Sequence, residues 1–329
     1  LDIVVASEGE PDVVQLSGGE PTLHPDFFAV LDLAKARPMR HLMINTNGLR
    51  LARDRSFVER LSYYMPGIEI YLQFDSFEAE VLQSLRGEDL REVREQAIKY
   101  LNEFNISTTL VVTLQKGLND HEIGRLIDYA RAQTCVRGVT FQPTQAAGRM
   151  EHFNPATDRI TLSEVRQSIL DQSDIFQPED LVPVPCHPDA IMMGYALKLG
   201  GEIVPLTRYF SPEELLATSR NTVNFEIMPE VHEKLIGLFS TGNSPQDCTD
   251  RIADIMCCLP QVETQGLTYS NLFRIIVMKF YDAHDFDVRG VKKTCVHIVH
   301  KDGRIIPFDT MNLFYRDAVV EKKLMEAVR

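Results

Sequence analysis

Leu16-Ser17-Gly18-Gly19-Glu20-Pro21-Thr22-Leu23-His24-Pro25 lies between an apolar run, Val13-Val14, and an amphipathic stretch, Asp26 to Arg37. The local order is strand, turn, helix. Adjacent glycines let the backbone approach a ligand closely, Glu20 sets a carboxylate where the strand ends, and Pro21 stiffens the exit from the turn. This is either a cradle for something small and partly cationic or an ordinary strand-to-helix turn carrying an exposed acid.

The same rhythm repeats outward to about residue 150. Strands are predicted at Val13 to Leu16, His41 to Asn45, Ile68 to Phe74, Ser107 to Leu114 and Gly138 to Gln142, most of them rich in β-branched or aromatic residues. Helices are predicted between them. From Glu88 to Phe104, Leu90, Val93, Ala97, Leu101 and Phe104 recur at helical spacing, and from Asp120 to Gln133 the stripe is Ile123, Leu126, Ile127 and Ala130. Alternating strands and helices imply parallel strands with crossover helices, hence an α/β sheet or barrel.

Polar residues gather just after each strand: Gly18-Gly19-Glu20-Pro21, Asn45-Thr46-Asn47-Gly48, Gln73-Phe74-Asp75-Ser76, Thr113 to Gly117, and Gln142-Pro143-Thr144-Gln145. In parallel α/β folds the carboxyl ends of the strands share one side, where ligands bind. Each segment alone is turn chemistry; together they predict one mouth.

Composition narrows the classes. The chain has 329 residues, 44% of them apolar, enough for one large domain and a smaller one. Its net charge of -13, from 34 basic and 47 acidic residues, and the lack of a basic run argue against a nucleic-acid partner. Apolar stretches such as Leu272 to Tyr281 are broken by Arg274 and Lys279, so no transmembrane segment is predicted. With no secretory pattern at the start, the six cysteines read as thiols or metal ligands rather than a disulfide framework, and the localisation as cytoplasmic.

The string from Leu16 to Pro25 resembles the second-strand motif of radical S-adenosylmethionine (SAM) enzymes, in which the glycines and the acid hold the amino group of the SAM methionine. The resemblance implies a partial barrel of six strand-helix units with SAM across the carboxyl ends of its strands. Asn45-Thr46-Asn47-Gly48 looks like the family's third-strand segment, and Tyr71 to Ser76 like its fourth. Carried over, the cofactor-binding residues are Gly18, Gly19, Glu20, Pro21, Asn45, Gln73 and Asp75, with Thr113 and Gln115 near the ribose and Gln142 near the adenine.

The family's defining CxxxCxxC loop, which binds three irons of a 4Fe-4S cluster, is found nowhere in the sequence. In the family it lies upstream of the Gly-Gly-Glu-Pro strand, and the first residue here is Leu1 rather than methionine. Both facts fit a chain from which the first strand and cluster loop have been removed, which alone would be inactive. A degenerate homologue that has lost the cluster is the alternative.

Beyond Met150 the rhythm breaks, dividing residues 1–150, the partial barrel, from residues 151–329, a mainly helical region for auxiliary clusters or substrate. Thr161-Leu162-Ser163-Glu164 signals a helix start for Val165 to Asp171. Further helices are predicted at Ala190 to Leu199, Pro229 to Phe239, Arg251 to Cys258 and Leu267 to Ala283. Lys293 to His300 and Arg304 to Phe308, joined by Lys301-Asp302-Gly303, read as a β-hairpin.

On spacing alone the cysteines are better explained as small buried residues than as metal ligands, and Cys135 and Cys248 are assigned so outright. The segments Val184 to Asp189, Met256 to Pro260, Cys295 to His300, Gly303 to Phe308 and Asn312 to Arg316 are similar to a radical SAM subfamily of tetraether lipid synthases and methylase-like proteins that carry additional clusters. That likeness implies Cys186, Cys257, Cys258 and Cys295 as auxiliary iron-sulfur ligands, a lipid or pterin-like small-molecule substrate, and an electron donor such as ferredoxin or flavodoxin. In its complete form the protein would cleave SAM reductively to a 5'-deoxyadenosyl radical and modify an unactivated carbon by methylation or C–C bond formation. A non-catalytic small-molecule-binding α/β protein is the alternative. A phosphate-binding enzyme is disfavoured because Glu20 would repel phosphate at the helix entrance.

Overall fold

The computed structural model describes residues 1–147, 153–184, 187–199, 202–208, 271–300 and 302–316. Within them the first half follows the predicted alternation. Strands β1 (Val13–Leu16), β2 (His41–Thr46), β3 (Ile68–Gln73), β4 (Thr108–Leu114) and β5 (Val136–Pro143) pair in chain order, all parallel. Helices α1 (Asp2–Glu8), α2 (Phe27–Lys35), α3 (Leu49–Arg53), α4 (Arg55–Ser62), α5 (Ala79–Arg86), α6 (Arg91–Glu103) and α7 (Ile123–Ala132) precede or connect them. The capping box read at Thr161 and Glu164 is formed and starts α8 (Leu162–Gln172).

The sheet does not end at β5. Strand β9 (Leu272–Met278) pairs parallel to it, β7 (Ile191–Leu199) runs antiparallel to β9, and β6 (Val182–Pro183) and β8 (Glu202–Pro205) pair with β7, giving nine strands. Two predicted helices are thereby corrected: Ala190 to Leu199 and Leu267 to Ala283 supply β7 and β9. Both strands are covered on each face, so almost every residue is apolar and the alternation that marks a half-exposed strand is lost. The hairpin forms as β10 (His297–Val299) and β11 (Ile305–Pro307). The helices predicted at 229–239 and 251–258 lie outside the described residues.

Alternation along the strands separates two faces. Leu42, Ile44, Ile68, Ile70, Leu72, Leu110, Val112, Val139 and Phe141 face the helices, where they pack with Leu31, Leu61, Leu101 and Leu126 in the main core. The other face carries His41, Glu69, Thr109 and Arg274 near the amino ends. Met43, Tyr71 and Val111 form a small apolar cluster in the middle of that face.

Arg274 on β9 bonds both carboxylate oxygens of Glu69 on β3 at 2.6 Å, although β4 and β5 lie between them. Three ladder spacings of about 4.8 Å are too far for two side chains standing off a flat sheet. The sheet is therefore rolled, with the polar face concave. Gly138, in register with Arg274, leaves room for the crossing, because a Cβ there would sit 2.8 Å from Arg274 Cγ.

Candidate active site

The Gly-Gly turn leaves β1 with Gly18 at φ 101° and Gly19 at φ 57°, backbone angles that a Cβ would oppose. Nothing lies within 4 Å of where a Cβ would stand on either residue, so the glycines serve backbone shape and leave an open, exposed cradle. Pro21 begins the 3-10 turn Pro21–Leu23, where its missing N–H costs nothing.

Glu20 joins two tips. Its Oε1 accepts from Thr22 N at 3.2 Å, Thr22 Oγ1 at 2.7 Å and Thr46 Oγ1 at 2.7 Å. Its Oε2 accepts from Asn47 N at 2.7 Å. The carboxylate thus locks the tip after β1 to the tip after β2, and only Oε2 keeps capacity for a further donor.

Side chains at the strand ends continue this edge. Asn45 Nδ2 donates to Ser17 Oγ at 3.5 Å, Gln73 Nε2 donates to Asn45 Oδ1 at 3.3 Å, and Gln142 Nε2 donates to Tyr71 Oη at 3.2 Å. Ser17, Asn45 and Gln73 form a row across β1, β2 and β3, with Gln142 further round the same concave face. Burial pushes the Tyr71 phenol up to about 12, so it stays neutral.

Asp75 sits differently. It is fully buried at φ 64°, and its carboxylate meets Arg86 at 2.7 and 2.8 Å, Arg94 at 3.0 Å and the Thr113 N–H at 3.1 Å. Burial opposes its charge, but the two guanidiniums hold its carboxyl below the usual range. Asp75 therefore braces the tip after β3 against the tip after β4. Arg86 also donates to Thr113 Oγ1 at 3.0 Å, and the Gln115 N–H is bound by Asn119 Oδ1 at 2.9 Å. Gly18, Gly19, Glu20, Asn45, Gln73 and Gln142 gather round the concave mouth, whereas Asp75, Thr113 and Gln115 are bonded into the scaffold behind it.

Tyr71, Glu69, Arg274, Arg86 and Arg94 were absent from the residues singled out by sequence. A signal for two of them existed: Ile68-Glu69-Ile70-Tyr71-Leu72-Gln73 alternates apolar with polar over a whole strand, marking a polar inner face. The arginines carried none, since their partners lie 11 to 205 residues away.

Among the cysteines, Cys135 is buried and its thiol is pushed up to about 11 by that burial, as suits a small core residue. Cys295 is exposed beside the hairpin. Cys186, Cys248, Cys257 and Cys258 lie outside the described residues. Among the described residues no helix is long and apolar enough to cross a membrane.

Comparison with known proteins agrees with this geometry. Residues 2–130 match the profile described as the radical SAM superfamily. A 7,8-dihydro-6-hydroxymethylpterin dimethyltransferase of Methanocaldococcus jannaschii is 28% identical, the match covering 94% of this chain and 68% of that protein. A GTP 3',8-cyclase of Cronobacter sakazakii is 24% identical over 54% of this chain and 53% of its own length. A domain of pyruvate-formate lyase-activating enzyme from Bacteroides vulgatus superposes with a TM-score of 0.37 at 16% identity, over 49% of this chain and 92% of that one. Strands β1 to β4 and the tips that follow them lie within residues 2–130, and this part of the chain belongs to the radical SAM superfamily.

Proposed function

We propose that the mouth binds S-adenosylmethionine and that the complete protein uses it to methylate, or to form a C–C bond at, an unactivated carbon of a pterin-like or lipid substrate. The observation carrying this reading is the open glycine cradle beside a row of amide side chains, all at the carboxyl ends of parallel strands. In this reading the Gly18 and Gly19 backbone and Glu20 Oε2 receive the methionine ammonium. Asn45 and Gln73 hold polar edges of the ligand, and Gln142, fixed by neutral Tyr71, faces the base. When bound, and given one electron from a reduced iron-sulfur cluster, the cofactor would supply hydrogen-abstracting radical chemistry at carbon, with methionine as the other product. The chain's own residues bind and orient it, and the apolar floor of Met43, Tyr71 and Val111 keeps water from the reacting end.

The cofactor's partner cluster is a separate matter. The 329 residues contain no CxxxCxxC, so they do not supply the three thiolates in that spacing. Cys186, Cys257, Cys258 and Cys295 are proposed as ligands of an auxiliary iron-sulfur centre, with a ferredoxin or flavodoxin as electron source. A pterin-like substrate is favoured over a lipid by the name of the relative aligned along most of the chain.

Equilibrium dialysis against methyl-labelled SAM tests the proposal. Saturable retention of one SAM per chain, displaced by S-adenosylhomocysteine, is expected. Absence of saturable retention would contradict it.

A further inference from the structure

A second cavity lies outside the barrel, on the helical side of the sheet. It encloses about 470 Å³ between α6 and α7, within the usual range of small-molecule pockets. Neighbouring crossover helices on one sheet ordinarily fill the space between them, and here they leave a gap.

The floor is aromatic. Phe74, Phe77 and Tyr129 meet in a triangle with ring centroids 5.1 to 5.2 Å apart, a surface against which another ring can stack. The rim is cationic. Lys99 makes no direct ion pair among the described residues, its charge reaching Glu103, and Arg125, paired with Glu122 at 3.6 Å, leans over the Phe77 ring with its guanidinium 4.3 Å from the centroid. Glu95 is the one carboxylate in the lining.

Arg94 closes the inner end. Its Nε donates to Phe74 O at 2.6 Å and its Nη2 to Asp75 at 3.0 Å, but Nη1 is buried without an acceptor, in a side chain only 1% exposed.

We propose that this pocket is a binding site for a small aromatic carboxylate, its ring on Phe77 and Tyr129 and its carboxylate toward Lys99 and Arg125 at the rim. The site is separate from the SAM mouth and does not depend on that assignment.

Benzoate serves as the probe, with benzylamine and benzyl alcohol as charge-reversed and neutral controls. Saturation-transfer NMR with calorimetric titration should show saturable benzoate binding and neither control saturating. Arg94 is unsuitable for substitution because it also holds Asp75. Lys99→Glu together with Arg125→Glu, both at the rim, should weaken benzoate at least about tenfold, as expected for loss of charge-assisted contacts. Gln142→Ala, in the mouth, should leave benzoate affinity unchanged. Failure of benzoate to saturate, equal binding by the double variant, saturable binding of either control, or an effect of Gln142→Ala would each overturn the proposal.

Discussion

Tyr71 shows how one buried residue reports on the concave face. Its phenol is 7% exposed and is pushed up to about 12 by burial, against about 10 for an unfolded tyrosine. Because the folded state resists ionisation, this residue's contribution is constant below pH 10 and declines as pH rises from 10 to 12. The loss at the upper end is on the order of 3 kcal/mol. Denaturation curves between pH 9 and 12 should show that decline in the wild type and a smaller one in Tyr71→Phe; identical slopes would place Tyr71 in water.

Asp75 offers the opposite sign. Arg86 and Arg94 hold its carboxyl low despite burial, so its stabilisation is present above the ordinary carboxylate range and is lost as pH falls through the folded value. Asp75→Asn leaves Arg94 buried without its counter-charge and should cost about 3 to 5 kcal/mol in urea denaturation. A loss below about 1 kcal/mol would mean that Arg94 finds water.

Among the elements, the crossing from β9 to β3 holds the roll of the sheet. Arg274→Met takes the guanidinium from the fully buried Glu69 carboxylate, leaving it to His41 at 2.9 Å and to the Thr109 hydroxyl, and should cost about 3 kcal/mol. Replacing both partners, Arg274→Met with Glu69→Leu, should recover most of that loss, since no buried charge is left alone. If the double variant is as unstable as the sum of the two singles, the pair is not coupled. None of this crossing was legible in sequence. Arg274 looked like an interruption in an apolar helix, because Leu272, Ile275, Ile276 and Phe280 fall at helical spacing while Leu272 to Met278, buried on both faces, lacks the alternation of a half-exposed strand. Ile191 to Leu199 misled in the same way. The earlier strands were legible because their tips carry turn residues and their connecting helices carry clear apolar stripes, as α6 and α7 do with Ala97, Leu101, Leu126 and Ala130.

For the whole molecule, five polar tips read from sequence do meet along one edge of the rolled sheet, since parallel pairing obliges them to. What sequence could not separate was the duty of each. Asn45, Gln73 and Gln142 line the mouth, while Asp75 turns inward to guanidiniums on α5 and α6, and that choice rests on tertiary contacts. Hydrogen–deuterium exchange with and without SAM tests the central claim most directly, because it locates the ligand. SAM seated in the mouth slows exchange in peptides covering Ser17 to Glu20, Asn45 to Gly48, Gln73 and Gln142. Unchanged exchange at those tips, or slowing confined to α6 and α7, would contradict it.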